Sequence, residues 1–232
     1  MIFLIFFTFR FLLFTYFCTF ATEKRMNMQE TKTITAYRRG LRTKILSTAM
    51  AGFLRCGIRA LKMDDVATEL DISKRTIYEI FGNKEVLLFE AMKHYYGERS
   101  QKFQTKALFC QNVMEIILVI YRMKVEEFQQ TNPNFYADLE KYPQVLEFLE
   151  GENQKNRVKY LRFIDRGIQE GFFRSDVNYE LSTRFFNSLG NYIMQNKLYM
   201  QYSMEDIFKN LIFVTVRGMC TERGVKTLDT FL

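Results

Sequence analysis

Apolar positions recur along this chain at helical spacing, and polar residues fill the gaps between them. Leu41, Ile45, Ala49 and Phe53 follow one another every fourth residue, with Leu46 and Met50 beside them, so 33–55 is predicted to be a helix with one buried face. Gly57 stands where a left-handed residue would end it. Two short elements follow. "MDDVATEL" offers Val66, Ala67 and Leu70 as an apolar face, with Asp64 and Asp65 in the first turn, where acids suit the helix dipole. After the turn "DIS", Ser73 is a natural N-cap for "KRTIYEIF", whose Ile77, Ile80 and Phe81 lie inward. Its other side carries Lys74, Arg75, Thr76, Tyr78 and Glu79.

The rest of the chain continues the same pattern. Asn83 caps a long helix through "KEVLLFEAMKHYYGERSQKF", and 110–130 repeats the apolar spacing with Val113, Ile116, Ile117, Ile120 and Tyr121. Pro133 and Pro143 bracket a short helix. A long helix over 145–170 ends at Gly171. Another begins at "DVNYEL" and runs through Phe185, Phe186, Leu189, Ile193 and Met200. The last is "SMEDIFKNLIFVTVRGMC", capped by Ser203 and predicted to be continuous. No stretch alternates as a strand would, and no segment repeats. The reading is an all-α chain.

Composition agrees. Hydrophobic residues make up 48% and charged residues 25%, enough for a packed core, and 2 prolines and 11 glycines in 232 residues leave long helices uninterrupted. The net charge of +7 is unevenly placed. Residues 26–85 hold 11 Lys/Arg against 7 Asp/Glu, whereas 86–232 hold 19 against 18. A basic small unit joined to a near-neutral large one points to an anionic partner for the first alone. Cys18, Cys56, Cys110 and Cys220 have neither disulfide nor zinc spacing and read as free thiols of a reducing compartment. His94 is the single histidine, and there is no phosphate loop or metal-ligand cluster, so no catalytic, cofactor or metal site is expected.

Residues 1–25 differ from everything after them. Eight of the first twenty are phenylalanine, but Arg10 interrupts the apolar run and no basic residue precedes it. Three readings stand. One is an over-extended start, with Met26 or Met28 as the true beginning; the others are a membrane anchor and a signal peptide.

Two short helices joined by a tight turn, the second presenting basic and hydroxyl groups, match a helix-turn-helix over 62–81. Asp71 stands where such turns often carry glycine, and it tolerates that backbone. With Ile45, Ala49, Phe53, Gly57, "MDDVA", "ISKRTIYEIF" and "NKEVLL" in order, residues 38–96 resemble the TetR family of bacterial transcriptional regulators. The resemblance implies a cytoplasmic homodimer. Its N-terminal domain, 33–84, binds a double-stranded DNA operator, and its larger domain, 85–232, binds a small effector and dimerises through the last two long helices. Phe186, Leu189, Ile193, Ile207, Leu211 and Val214 are the expected interface. Carried over by position, Lys74, Arg75 and Thr76 approach the bases, while Tyr78 and Lys84 meet phosphate; Ser73 is counted among the DNA-binding residues with them.

Three positions depart from the family's pattern. Lys62 replaces a capping Thr or Ser, Arg75 a frequent glycine, and Glu79 a His or Arg. On physical grounds Arg75 can grip guanine through two hydrogen bonds. Glu79 either accepts from cytosine or repels phosphate. Arg42 and Lys62 join Tyr78 and Lys84 as phosphate contacts that add affinity without sequence information. The "TKTITAYRR" segment is a candidate groove-following arm. The Phe, Tyr and Met content of the larger domain suits a hydrophobic effector but names no pocket residue. The alternative from another class is a membrane-tethered helical binding protein, which requires residues 1–20 to be real.

Overall fold

A computed structural model describes residues 32–230, with side chains over 38–152 and 159–230. The Phe-rich leader and the start of the candidate arm lie outside the described residues. The first helix, α1 (Lys32–Cys56), buries Ile45, Ala49 and Phe53 completely, as their spacing predicts. It ends at Gly57, whose φ of 89° is the left-handed conformation expected there. Then come α2 (Met63–Glu69) and α3 (Lys74–Phe81). Asp71, at φ 51°, makes the left-handed turn between them.

α4 (Lys84–Ala107) runs alongside α1 and passes from the small domain into the large one. The expected boundary at 84/85 therefore falls at the start of a helix, and Leu87, Leu88 and Ala91 just beyond it share the core of α1 and α3. The larger domain adds α5 (Val113–Gln129), α6 (Pro133–Leu139), α7 (Pro143–Gln169) and α8 (Tyr179–Gln195). α8 stops before Met200: Lys197 turns left-handed and a short 3-10 turn, Leu198–Met200, takes over.

The last helix is continuous from Met204 to Met219, but its hydrogen bonds change register in the middle. α9 (Met204–Ile207) passes into a π turn, Phe208–Ile212, and then α10 (Phe213–Met219). The cause is the apolar pattern itself. Phe208, Ile212 and Phe213 are all buried, and a π turn places residues five apart over one another where an α-helix would swing one of them outward. A further helix, α11 (Glu222–Asp229), was not expected; Thr221 caps it by accepting from the Gly224 N–H at 3.1 Å. Among the described residues no strand forms; a lone bridge between Phe173 and Cys220 ties the end of α7 to the end of α10.

One buried group of charges sits between α4 and α5. Glu127 receives Lys124 at 2.8 Å and Arg99 at 3.0 Å, and Arg99 also donates to the Met123 carbonyl. Burial pulls the Lys124 ammonium down to about 8 against the opposite pull of Glu127. Burial raises the Glu127 carboxyl, but Lys124 and Arg99 outweigh it and hold it below the ordinary carboxylate range.

Candidate nucleic-acid interface and effector cavity

α3 is set by its cap and its floor. Ser73 Oγ accepts from the Thr76 N–H at 3.1 Å, and Ile77 and Phe81 are buried beneath. This leaves Lys74, Arg75, Tyr78 and Glu79 on the exposed side, with Thr76 half-buried and its hydroxyl 2.8 Å from that of Ser73. α2 lacks a capping hydroxyl, yet its end is not bare. Asp65 reaches back and accepts from the Lys62 N–H at 2.8 Å, which leaves the exposed Lys62 ammonium unused by the cap.

The basic residues are not loose. Lys74 pairs with Asp64 at 2.6 Å and lies 5.9 Å from the centre of the Tyr78 ring. Arg75 pairs with Glu79 at 2.6 Å, one turn along α3. Arg42 reaches Glu90 on α4 at 2.9 Å and covers the Phe81 ring at 5.4 Å, so it braces α3 from behind as well as carrying charge. Burial raises the Glu90 carboxyl, but the hydrogen bond from Arg42 and the charge of Lys93 hold it below its ordinary range. Lys84 donates to the Arg59 carbonyl at 3.2 Å, and partial burial lowers its ammonium. It therefore fastens the α1–α2 loop to the start of α4.

A strap missed in the sequence joins the two domains. At the start of α6, Asn132 donates its backbone N–H to the Leu54 carbonyl at 2.7 Å and its side-chain amide to that of Arg55. Asp138, mostly buried, accepts from the Arg59 N–H at 2.8 Å. Only the "NPN" turn signal hinted at this segment, and it says nothing of a partner some eighty residues away.

Of the expected interface residues, Phe186, Ile193 and Ile207 are occupied inside the protomer's own core. Leu189 and Leu211 are half-buried, and Val214 is exposed. The outward apolar stripe of α8 is Leu181, Phe185 and Tyr192. Helical spacing marks two adjacent stripes here and does not say which one faces out.

The larger domain holds a small apolar cavity of about 60 Å³, walled by Ile120, Phe163, Phe186, Phe208, Phe213 and Met219 among others. At that size it admits an effector only if the rings spread. Tyr160 and Thr183 bring the hydroxyls, and no charged side chain lines it among the described residues. α8 lines this cavity with Thr183 and Phe186 and carries the exposed Leu181, Phe185 and Tyr192 on its other side. Among the described residues no group of three or more His, Cys, Asp or Glu could hold a metal, and His94 lies 3.4 Å from Glu98 along α4.

Residues 45–91 match the family of bacterial regulatory proteins called tetR. The HTH-type transcriptional repressor KstR2 of Mycobacterium tuberculosis (strain CDC 1551 / Oshkosh) is 24% identical over 150 residues, covering 62% of this chain and 74% of the repressor. Its namesake from Rhodococcus jostii (strain RHA1) is 26% identical over 157 residues, covering 65% and 76%. In fold, the chain resembles the ketosteroid transcriptional regulator KstR2 of Mycobacterium tuberculosis, with a TM-score of 0.51 at 20% identity over 78% of this chain and 96% of that one. It also resembles a TetR-family regulator from Cytophaga hutchinsonii, with a TM-score of 0.59 at 15% identity over 85% and 100%.

Proposed function

The chain is a TetR-family bacterial regulatory protein, and from that premise we propose that it is a cytoplasmic, dimeric repressor released from its operator by an apolar effector. The observation that carries the reading is the outer face of α3. Lys74, Arg75, Thr76 and Tyr78 stand together on a capped helix whose other side is locked into a small core by Ile77 and Phe81. A helix so presented enters the major groove, with Arg75 at a guanine and Tyr78, Lys62 and Lys84 at phosphates. Two copies related by a two-fold axis require an operator with matching half-sites.

The ion pairs of this face support a readily reversed encounter. Asp64 and Glu79 hold Lys74 and Arg75 in place without DNA, and exposed pairs of this kind are weak enough for phosphate or a base edge to displace. Dimerisation through Leu181, Phe185, Tyr192 and Val214 suits their exposure, with Leu189 and Leu211 at the margin. The effector cavity lies directly behind that surface, and the α6 strap connects the larger domain to the α1–α2 loop. An effector that spreads the rings thereby has a mechanical route to the reading helices.

The test is selection of bound DNA from a random pool, compared with the DNA beside the protein's own gene. A palindrome common to both is the expected result; recovery of none overturns the operator reading. Among the described residues no helix is long and apolar enough to cross a membrane. The likeness to transcriptional repressors makes a membrane-tethered binding protein the less favoured reading.

A further inference from the structure

A second cavity, of about 300 Å³, opens beside the α6 strap and shares no lining residue with the apolar one. Local signals build it. α8 stops where Lys197 turns left-handed, the 3-10 turn Leu198–Met200 follows, and Gln201 closes the loop by donating its side-chain amide to the Asn196 carbonyl at 3.0 Å. This brings Tyr199 and Tyr202 to the end of α5, where Phe128 stacks on Tyr136 of α6 at 4.7 Å. Tyr136 and Tyr199 meet at 5.6 Å with their planes 64° apart, so the rings form a corner and not a layer. Thr131 and Pro133 belong to the wall and flank Asn132, the residue that holds the Leu54 and Arg55 carbonyls.

The charge of this cavity has one sign. Glu205, in the first turn of α9, is half-buried and lines it, and among the described residues no Lys, Arg or His does so. One Glu205 oxygen accepts from the Gln129 side-chain amide at 2.7 Å. Among the described residues no cation pairs with this carboxylate, Lys209 one turn further on included. Burial raises the Tyr199 phenol, and the negative charge of Glu140 adds to the rise, so the tyrosine is neutral and lies in a negative field. Aromatic rings attract a cation to their faces, and the attraction grows as water is excluded. A metal ion is a poor match, because a single carboxylate among rings cannot supply its shell of oxygens. We propose that this cavity is a second small-molecule site, taking an organic cation with an alkylated ammonium, its charge against Glu205 and its alkyl groups among Tyr136, Tyr199 and Tyr202. A neutral molecule of the same shape forgoes both attractions, and an anion is repelled by Glu205. The two cavities have no residue in common, so this site stands whether or not the apolar one takes an effector.

Three probes of similar outline test it: 3-hydroxyphenyltrimethylammonium, 3-tert-butylphenol and 3-hydroxybenzenesulfonate. Each is titrated near neutral pH into the full chain carrying isotope-labelled methionine methyl groups, followed by NMR. Met204 lines this cavity and Met219 the apolar one, so their signals, assigned with Met204→Leu and Met219→Leu, report the two sites separately. The ammonium is expected to shift the Met204 signal and to bind there about fivefold more tightly than 3-tert-butylphenol, while the sulfonate leaves that signal in place. Glu205→Gln should weaken the ammonium about threefold to fivefold and leave 3-tert-butylphenol within about twofold of its wild-type affinity. Tyr202 is exposed, so Tyr202→Leu spares the core; it should weaken the ammonium about threefold and the neutral probe less. The proposal is overturned if no probe shifts the Met204 signal or if the ammonium shifts Met219 alone. It is equally overturned if either other probe matches the ammonium at Met204, or if both variants bind the ammonium as the wild type does.

Discussion

Two ion pairs of nearly equal length do opposite things in this protein. Arg75 and Glu79 meet at 2.6 Å on α3 with side chains 86% and 59% exposed; Lys124 and Glu127 meet at 2.8 Å on α5 at 2% and 5%. Both are helical neighbours, four and three residues apart. The first is screened by water and contributes little to folding, which leaves its arginine available to a partner. The second has lost its water, so removing one member strands a buried charge. Distance describes an ion pair poorly; solvent decides whether it is a latent binding group or part of the frame.

The sharpest way to break that contrast is a matched pair of substitutions. Glu127→Gln is expected to destabilise the fold by about 3 kcal/mol in urea denaturation, whereas Glu79→Gln should leave the midpoint unchanged. Equal midpoints would remove the distinction. Next in size is a pH effect. The folded-state value of Lys124, about 8, lies below its ordinary 10.5, so between the two the unfolded chain holds more protons. Stability should therefore rise as pH climbs from about 8 toward 10.5, and Lys124→Met should flatten that rise. Glu127 acts at the other end: its depressed carboxyl contributes stability above the unfolded carboxylate range, which is lost as pH falls through the folded value.

On the exposed side the effects are read in DNA binding. Arg75→Ala should cost roughly tenfold in discrimination at one base pair per half-site. Lys84→Ala should instead weaken all sequences alike and lower the salt slope by about 1. If the two variants behave identically across a set of operator mutants, Arg75 is not reading a base. The smallest effect expected is for Glu79→Gln, which releases Arg75 from its partner. Affinity should rise by about twofold to threefold with a steeper salt dependence, measured by titration at two ionic strengths.

Much of the reading domain was legible because its signals are local. Ser73, Asn83 and Ser203 cap the helices they precede, by accepting from Thr76, Val86 and Asp206. Gly57 and Asp71 turn left-handed where a stop and a turn were expected. What escaped was whatever depends on a neighbour from elsewhere in the chain. Arg42 looked like a phosphate contact, but its chemistry also includes Glu90, 48 residues on. Lys62 looked like a lost cap, and Asp65 supplies half of one from inside the helix. Phe186, Ile193 and Ile207 were indistinguishable by spacing from the outward Leu181, Phe185 and Tyr192, because a helix flanked by apolar surface on two sides carries two stripes.

The sequence by itself determined the helices of the reading unit, their order and the side chains on the exposed face of α3, since caps and four-residue spacing act within one or two turns. Only the tertiary structure decided that Lys124 is buried while Arg75 is not, that α6 straps the two domains, and that a π turn brings Phe208 and Phe213 to one cavity wall. Those outcomes turn on solvent exclusion and on packing between distant segments, and neither is a property of any short stretch of chain.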